Sequence, residues 1–327
     1  MKSARLLALL RIGTFDMVPI ALLAAVTLGA LALVGSPSTW VTLTVAGLAM
    51  GLLIFIMAAG LTLVFGLMDV MNFAHGLFIA LGAYVAASVM KAMGGTLGGL
   101  LPAMVAAMLA AGLLGFAFER VIIKPVYGQH LKQILITTGG MIVAEQLIHV
   151  VWGPDLLPLA RPEQLRGALL FGDVAIERYR LAAVGVGIAI FVAMVVTLNR
   201  TKLGLLIRAG VENGEMVEAM GYRIRRLFIG VFVAGSALAG LGGALWGMYQ
   251  EAVTVAIGAQ MIVLIFIVII IGGLGSVTGC FVGALLVGLM ANYVGYLAPK
   301  VALGSNILLM VLVLLWRPQG LYPAGKS

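Results

Sequence analysis

Ten apolar stretches, most of them close to the thickness of a bilayer, leave this chain almost no choice of fold. They run over 15–34, 41–66, 73–90, 99–120, 132–152, 179–199, 226–247, 258–274, 279–298 and 301–316. A helix needs about 20 such residues to cross the ~30 Å hydrocarbon core. An apolar run forms a helix there because every N–H and C=O must be satisfied within the segment. The expected fold class is therefore an all-α polytopic membrane protein, one transmembrane domain over 1–327 with about ten helices. The stretches 73–90, 258–274 and 301–316 are short or broken by glycine, so eight spans plus re-entrant segments is the alternative.

Composition excludes the other classes. Hydrophobic residues make up 63% of the chain and charged ones 10%, against roughly 25% charged in soluble domains. The 44 glycines are about twice the usual share, as expected where helix backbones pack closely in a membrane. A net charge of +8 without a basic polar domain argues against nucleic acid. Cys280 is the single cysteine, which rules out a disulfide within the chain, and no cluster of metal ligands accompanies it. Lys2, Arg5 and Arg11 precede the apolar stretch Met17 to Val34, which is longer than the 7–15-residue core of a secretory signal. It is read as a retained first span.

The polar breaks set orientation. With both termini inside, the inward segments hold Lys2, Arg5, Arg11, Arg120, Lys124, Lys132, Arg200, Lys202, Arg208, Arg223, Arg225, Arg226, Arg317 and Lys326; the outward ones hold Lys91, Arg161, Arg166, Arg178, Arg180 and Lys300. That is fourteen against six, and the bias places both termini in the cytoplasm. Two polar segments are substantial: an external loop over 153–178 and a cytoplasmic loop over 200–226. The first divides the chain into helical halves, 15–152 and 179–316. Five spans each would give the halves opposite orientation, the inverted-repeat plan of many transporters. A faint internal echo between Asn72–Gly82 and Gly275–Ala284 points the same way.

The cytoplasmic loop, Thr201 to Arg226, is too polar to span yet has helical periodicity. Val211, Glu215 and Glu218 fall on one stripe and Met216 and Met220 on the next; Gly210 and Gly214 interrupt the helix, and Gly221 is placed to stop it. An ordinary connector between bundled helices runs about 2–8 residues, so this segment is long for that role. Its order, Leu203-Gly204, Arg208-Ala209, Asn213, then Glu218-Ala219-Met220-Gly221, resembles the coupling loop of ABC importer permeases of the branched-chain amino acid family. Gly60 to Gly76, ending Asn-Phe-Ala-His-Gly, Ile136 to Val143 with Trp152-Gly-Pro, and Trp316 to Leu321 are similar to further signatures of that family. The Asn-Phe-Ala-His-Gly junction matches its H-type subunit.

The resemblance implies a permease subunit in a bacterial inner membrane, importing branched-chain or other neutral amino acids, with urea or short amides as the alternative cargo. It implies a coupling loop in which Gly204, Arg208, Ala209, Asn213, Glu215, Glu218, Ala219 and Gly221 dock on an ATPase. The implied partners are a second homologous permease subunit, two cytoplasmic ATPase subunits, a periplasmic substrate-binding protein and membrane lipid. This subunit itself would carry no cofactor and no enzymatic activity; ATP and magnesium would belong to the ATPases.

Other motifs compete with blander readings. Asp69, Asn72 and His75 lie at the break between two apolar helices, where polar groups at membrane depth mark a translocation path. Capping is the better account of Asn72, at a helix starting near Phe73, while for Asp69 and His75 the path and a local role, for His75 a backbone hydrogen bond, stand level. Glu145 and His149 share a helix face; Glu145 is a candidate for the path, and a proton-coupled secondary transporter would be built on this pair with Asp69. The four-residue spacing of Gly275, Gly279 and Gly283, and of Gly243 and Gly247, is read as packing within the subunit. Gly320 to Ser327 matches the phosphate-loop pattern letter for letter, but that loop needs a strand before it and a helix after it. Here a membrane span precedes it and the sequence stops at Ser327, so ATP binding is not expected from it.

Overall fold

The computed structural model describes residues 11–12 and 15–322. Lys2, Arg5 and Lys326, and residues 323–327 of the phosphate-loop-like motif, lie outside the described residues. A two-residue hairpin, β1 (Arg11–Ile12) and β2 (Phe15–Asp16), precedes α1 (Val18–Val34), α2 (Pro37–Met68), α3 (His75–Ala92), α4 (Leu97–Phe118) and α5 (His130–Trp152). The short strands β3 (Leu157–Pro158), β4 (Ala168–Phe171) and β5 (Val174–Glu177) lead into α6 (Arg178–Arg200), α7 (Lys202–Glu212), α8 (Gly214–Ala219) and α9 (Ile224–Gln250). Strand β6 (Ala252–Val253), α10 (Ile257–Gly272), α11 (Val277–Leu297) and α12 (Ala302–Trp316) complete the described order. Seven helices are long and apolar enough to cross a membrane, and Val18–Val34, Ile257–Gly272 and Gly304–Trp316 are shorter apolar helices. The protein is a helical, multi-pass membrane protein, and the ten apolar stretches of the sequence each fall on one of these helices.

The core is built around α2. It starts at Ser36, whose hydroxyl accepts from Thr39 N–H, with Pro37 in the first turn, and it ends at Asp69 in the left-handed region at φ 50°. Its 32 residues extend to about 48 Å at 1.5 Å per residue, more than the ~30 Å core needs. Helix α11 covers one side of it, while α9 and α6 cover others; α9 in turn packs on α4 and α3. In lipid, no hydrophobic force drives helices together, so close backbone approach has to hold them. At the crossing of α2 and α9, Gly60 and Gly235 face each other so closely that a β-carbon on either would meet the other's carbonyl oxygen. The glycine stripes pack within the chain as expected: Gly279 lies against Gly272, Gly283 against the α10 backbone, and Gly243 against Ile79.

Between helices, the chain departs from the plain loops the sequence implied. The external segment 153–178 contains the β4–β5 hairpin, and β3 pairs antiparallel with β6, Leu157 opposite Val253. The internal echo also resolves differently. Asn72–Gly82 enters α3, which follows α2 directly, whereas Gly275–Ala284 enters α11, one helix further on from α9. The matching junction is the one between α9 and α10. Asp69 and Glu251, the two non-glycine residues with positive φ among the described residues, end α2 and α9. Asp69 precedes Gly76 by the same interval as Glu251 precedes Gly258, and those glycines touch.

Candidate functional site

The chain between α2 and α3 runs irregularly over 69–74. In a membrane such backbone must find partners from neighbouring helices, and α5 supplies them. Gln133 Oε1 accepts from Met71 N–H at 3.2 Å, and Thr137 Oγ1 accepts from Phe73 N–H at 3.1 Å. Gln133 is anchored in turn by donating its amide to the Val126 carbonyl at 3.1 Å. Both side chains are fully buried. Sequence reasoning missed them; the signal was two polar residues one helical turn apart on an otherwise apolar face.

Asn72 closes the turn into α3 by accepting from Ala74 N–H at 3.1 Å, while its Nδ2 has no partner. His75 lies inside the protomer, 1% exposed, with Nε2 3.0 Å from the Met57 carbonyl of α2. A carbonyl can only accept, so Nε2 carries the proton and Nδ1 is the bare acceptor, itself unpartnered. The backbone bond expected of His75 is present, whereas the N-cap position of α3 falls on Ala74 and Asn72 orders the turn that precedes it. Asp69 stands apart, its side chain 74% exposed and 3.5 Å from His130 Nε2. Glu145 lies on α5 with Oε1 buried and unpartnered, and no hydrogen bond joins it to His149. The four candidates for the path do not converge: two are in the core, one is at the end of the bundle, and one is on a peripheral helix.

The end that carries Asp69 also carries Glu119 and Tyr127. The Tyr127 hydroxyl donates to Glu119 Oε1 at 2.7 Å; burial first, and that bond second, push the Tyr127 hydroxyl well above its ordinary pKa. At the opposite end Arg161 ties the 153–177 segment to α9. It donates to the carbonyls of Met248 (2.9 Å) and Tyr249 (2.6 Å) and to Glu177 (3.0 Å), lies 3.2 Å from Glu251 Oε1, and stacks over the Tyr179 ring. Sequence alone gave Arg161 no role beyond a place among the outward charges.

The 200–226 segment folds as two helices. Thr201 caps α7 by accepting from Gly204 N–H, and Asn213 caps α8 by accepting from Met216 N–H at 2.9 Å. The interruption therefore falls at Asn213, because its side chain offers the backbone a competing cap, while Gly210 stays helical. Gly221 follows at φ 88° and ends the segment as expected. Gly204 packs on the Leu198 backbone with no room for a β-carbon. Arg208 reaches back to the Leu198 carbonyl (2.8 Å), filling an acceptor at the C-terminal end of α6, and to the Gly204 carbonyl (3.4 Å) within its own helix. Ile207 and Val217 face inward, whereas Asn213, Glu215, Met216, Glu218, Ala219 and Met220 are exposed and Ala209 is half-buried. Two bare methionines beside two carboxylates, on a short helix outside the bundle, form a surface suited to a protein partner.

A profile described as "Branched-chain amino acid transport system / permease component" matches residues 43–316. The chain belongs to this family. It is 31% identical over 290 residues to the high-affinity branched-chain amino acid transport system permease protein BraD of Pseudomonas aeruginosa, covering 84% of this chain and 93% of that one. It is 28% identical over 287 residues to the permease protein LivH of Escherichia coli K12, with 84% and 92% coverage. LivM of the same organism is 28% identical over 299 residues, and the match spans 68% of its length. The near-complete coverage of the LivH-type relatives makes this chain a permease of that type. No solved structure matches the chain.

Proposed function

We propose that this chain is the transmembrane permease subunit of an ATP-driven importer of branched-chain and similar neutral amino acids, and that it sits in the bacterial inner membrane with both termini in the cytoplasm. The family membership together with the α7–α8 segment carries the reading, because a two-helix projection with an exposed apolar face serves a partner and not the bundle. It assembles with a second, homologous permease subunit, two ATPase subunits and an external binding protein; similarity to both LivH and LivM supports the paired permeases. ATP and magnesium act on the ATPases, and no covalent chemistry occurs in this chain.

In this reading the ten apolar helices cross as two inverted halves. Support comes from the matching intervals at Asp69–Gly76 and Glu251–Gly258, and from the reciprocal packing of α2 on α11 and α9 on α4. Closure of the ATPases pushes Met216, Met220 and the adjacent carboxylates. Arg208 passes the push to α6 through the Leu198 carbonyl, and Val217 with Ile207 passes it towards α9. Bundle halves that rock about the glycine contacts then alternate access. Isolation in mild detergent and uptake into proteoliposomes test the reading. Co-isolation of an ATPase and loss of uptake on ATP depletion support it; uptake that survives ATP depletion but collapses with the proton gradient overturns it.

A further inference from the structure

Between the α7–α8 segment and the bundle lies a cleft of about 690 Å³, bordered on the coupling side by Ile207 and Val217. Its deep part is walled by Leu63 of α2, Met108 of α4, Ile190 and Met194 of α6, and Ala234 and Leu238 of α9. None of these six offers a hydrogen bond beyond its own helix. The polar groups sit at one end, where Thr197, Tyr222, Arg223 and Arg226 form the mouth. Arg225 and Glu218 adjoin it in a shallower hollow. Glu218 is the one acid among these residues. Among the described residues no carboxylate lies within ion-pair distance of Arg223, Arg225 or Arg226.

The dimensions and chemistry select the occupant. Along α9, Arg226 to Leu238 spans about 18 Å at 1.5 Å per residue, close to the depth of one leaflet of a ~30 Å core. An amino acid would leave its ammonium and carboxylate unpaired in the deep part, which is costly. Water gains nothing in a wholly apolar space, and a soluble partner reaches only the mouth. An acyl chain needs no hydrogen bond, and uncompensated guanidinium groups between helices at the membrane surface attract an anionic headgroup.

We propose that this cleft binds one anionic phospholipid, one of its two acyl chains between α6 and α9, the other in the surrounding bilayer, and its phosphate at Arg223 and Arg226. On the orientation proposed above, the lipid comes from the cytoplasmic leaflet. The inserted chain fills the gap between α7–α8 and the bundle, so the bound lipid sets how firmly α7 and α8 move with α9.

Native mass spectrometry of the full-length chain, delipidated and then titrated with phosphatidylglycerol or phosphatidylcholine of identical chains, tests this. One phosphatidylglycerol should be retained in strong preference to phosphatidylcholine. Arg223→Gln and Arg226→Gln should each reduce that preference roughly fivefold, the effect of about one surface cation. Ala234→Phe, which fills the deep part, should abolish retention of both lipids; Ala193→Phe on the facing wall repeats the test if the first variant fails to fold. Equal retention of the two lipids overturns the proposal, as does a preference that survives the double glutamine variant. Retention unchanged by both phenylalanine variants assigns the arginines to surface attraction alone and also overturns it. So does release of the lipid when ATPase subunits are added, which would make the mouth part of the ATPase contact. Lipid retention is read without transport, so it fails or succeeds independently of the importer reading.

Discussion

Gly76 and Gly258 meet backbone to backbone, each leaving no space for a β-carbon on the other. They open α3 and α10, helices that enter the bundle from opposite ends, and so their contact joins the two broken-helix junctions inside the core. Gly76→Ala or Gly258→Ala should cost about 1–3 kcal/mol through overpacking. Gly139→Ala on α5, where the same atom meets open space, should be neutral or slightly stabilising through helix propensity. Thermal unfolding in detergent compares the three; equal stabilities would deny the close approach.

Thr137 and Gln133 hold the irregular 69–74 backbone. Thr137→Val preserves shape but leaves Phe73 N–H buried without an acceptor, at a cost of about 1–3 kcal/mol. Thr137→Ser keeps the hydroxyl and should restore most of that stability. Hydrogen exchange at residues 71–75 reads the effect locally: faster exchange is expected in the valine variant and near-normal exchange in the serine variant.

Arg161, 14% exposed, is the rivet between the external segment and α9. Its carboxylate partners are 36% and 52% exposed, which discounts the ion pairs, so the two carbonyl bonds carry most of the effect. Arg161→Ala should destabilise this end by about 2 kcal/mol, and Arg161→Lys should not rescue it, since an ammonium cannot reproduce the fork that spans adjacent carbonyls. Protease cleavage within 153–177 should accelerate in both variants while the rest of the protein stays intact.

Met216 and Met220 are 63% and 69% exposed, so they contribute little to folding. The double change Met216→Ser, Met220→Ser should leave the unfolding temperature unaltered yet weaken ATPase association about tenfold, the loss expected of two buried apolar anchors at an interface. Arg208→Ala should do the reverse, loosening the α6–α7 joint while leaving the docking face in place. Titration of purified ATPase onto each variant separates the two effects.

The helices themselves were legible because a span is a local property of composition and length. The 200–226 segment was legible as helix outside the bundle because it is a long polar stretch with helical periodicity; it folds as α7 and α8. Gly221 was readable as a helix stop for the same local reason, while the cap expected at Asn72 fell two residues later, at Ala74. Gln133, Thr137 and Arg161 were not, since each acts on backbone 64 or more residues away in the cases of Thr137 and Arg161, and 62 away for Gln133. Separation of that size leaves no mark on periodicity. The shared left-handed conformation of Asp69 and Glu251 was equally hidden, because it is not written in an acidic side chain.

Membrane residence, the all-helical class and the family were determined by the sequence alone. They rest on hydropathy, charge asymmetry and short motifs, none of which depends on how the helices are arranged. Which face of each helix packs was decided only in the tertiary structure. Lipid and protein interior are equally apolar, so a helix that is apolar all round carries no stripe to announce its partner. Contacts such as Gly60 with Gly235 and Gly76 with Gly258, the burial of His75 against Met57, and the apolar cleft with its arginine mouth all arise from that hidden choice of face.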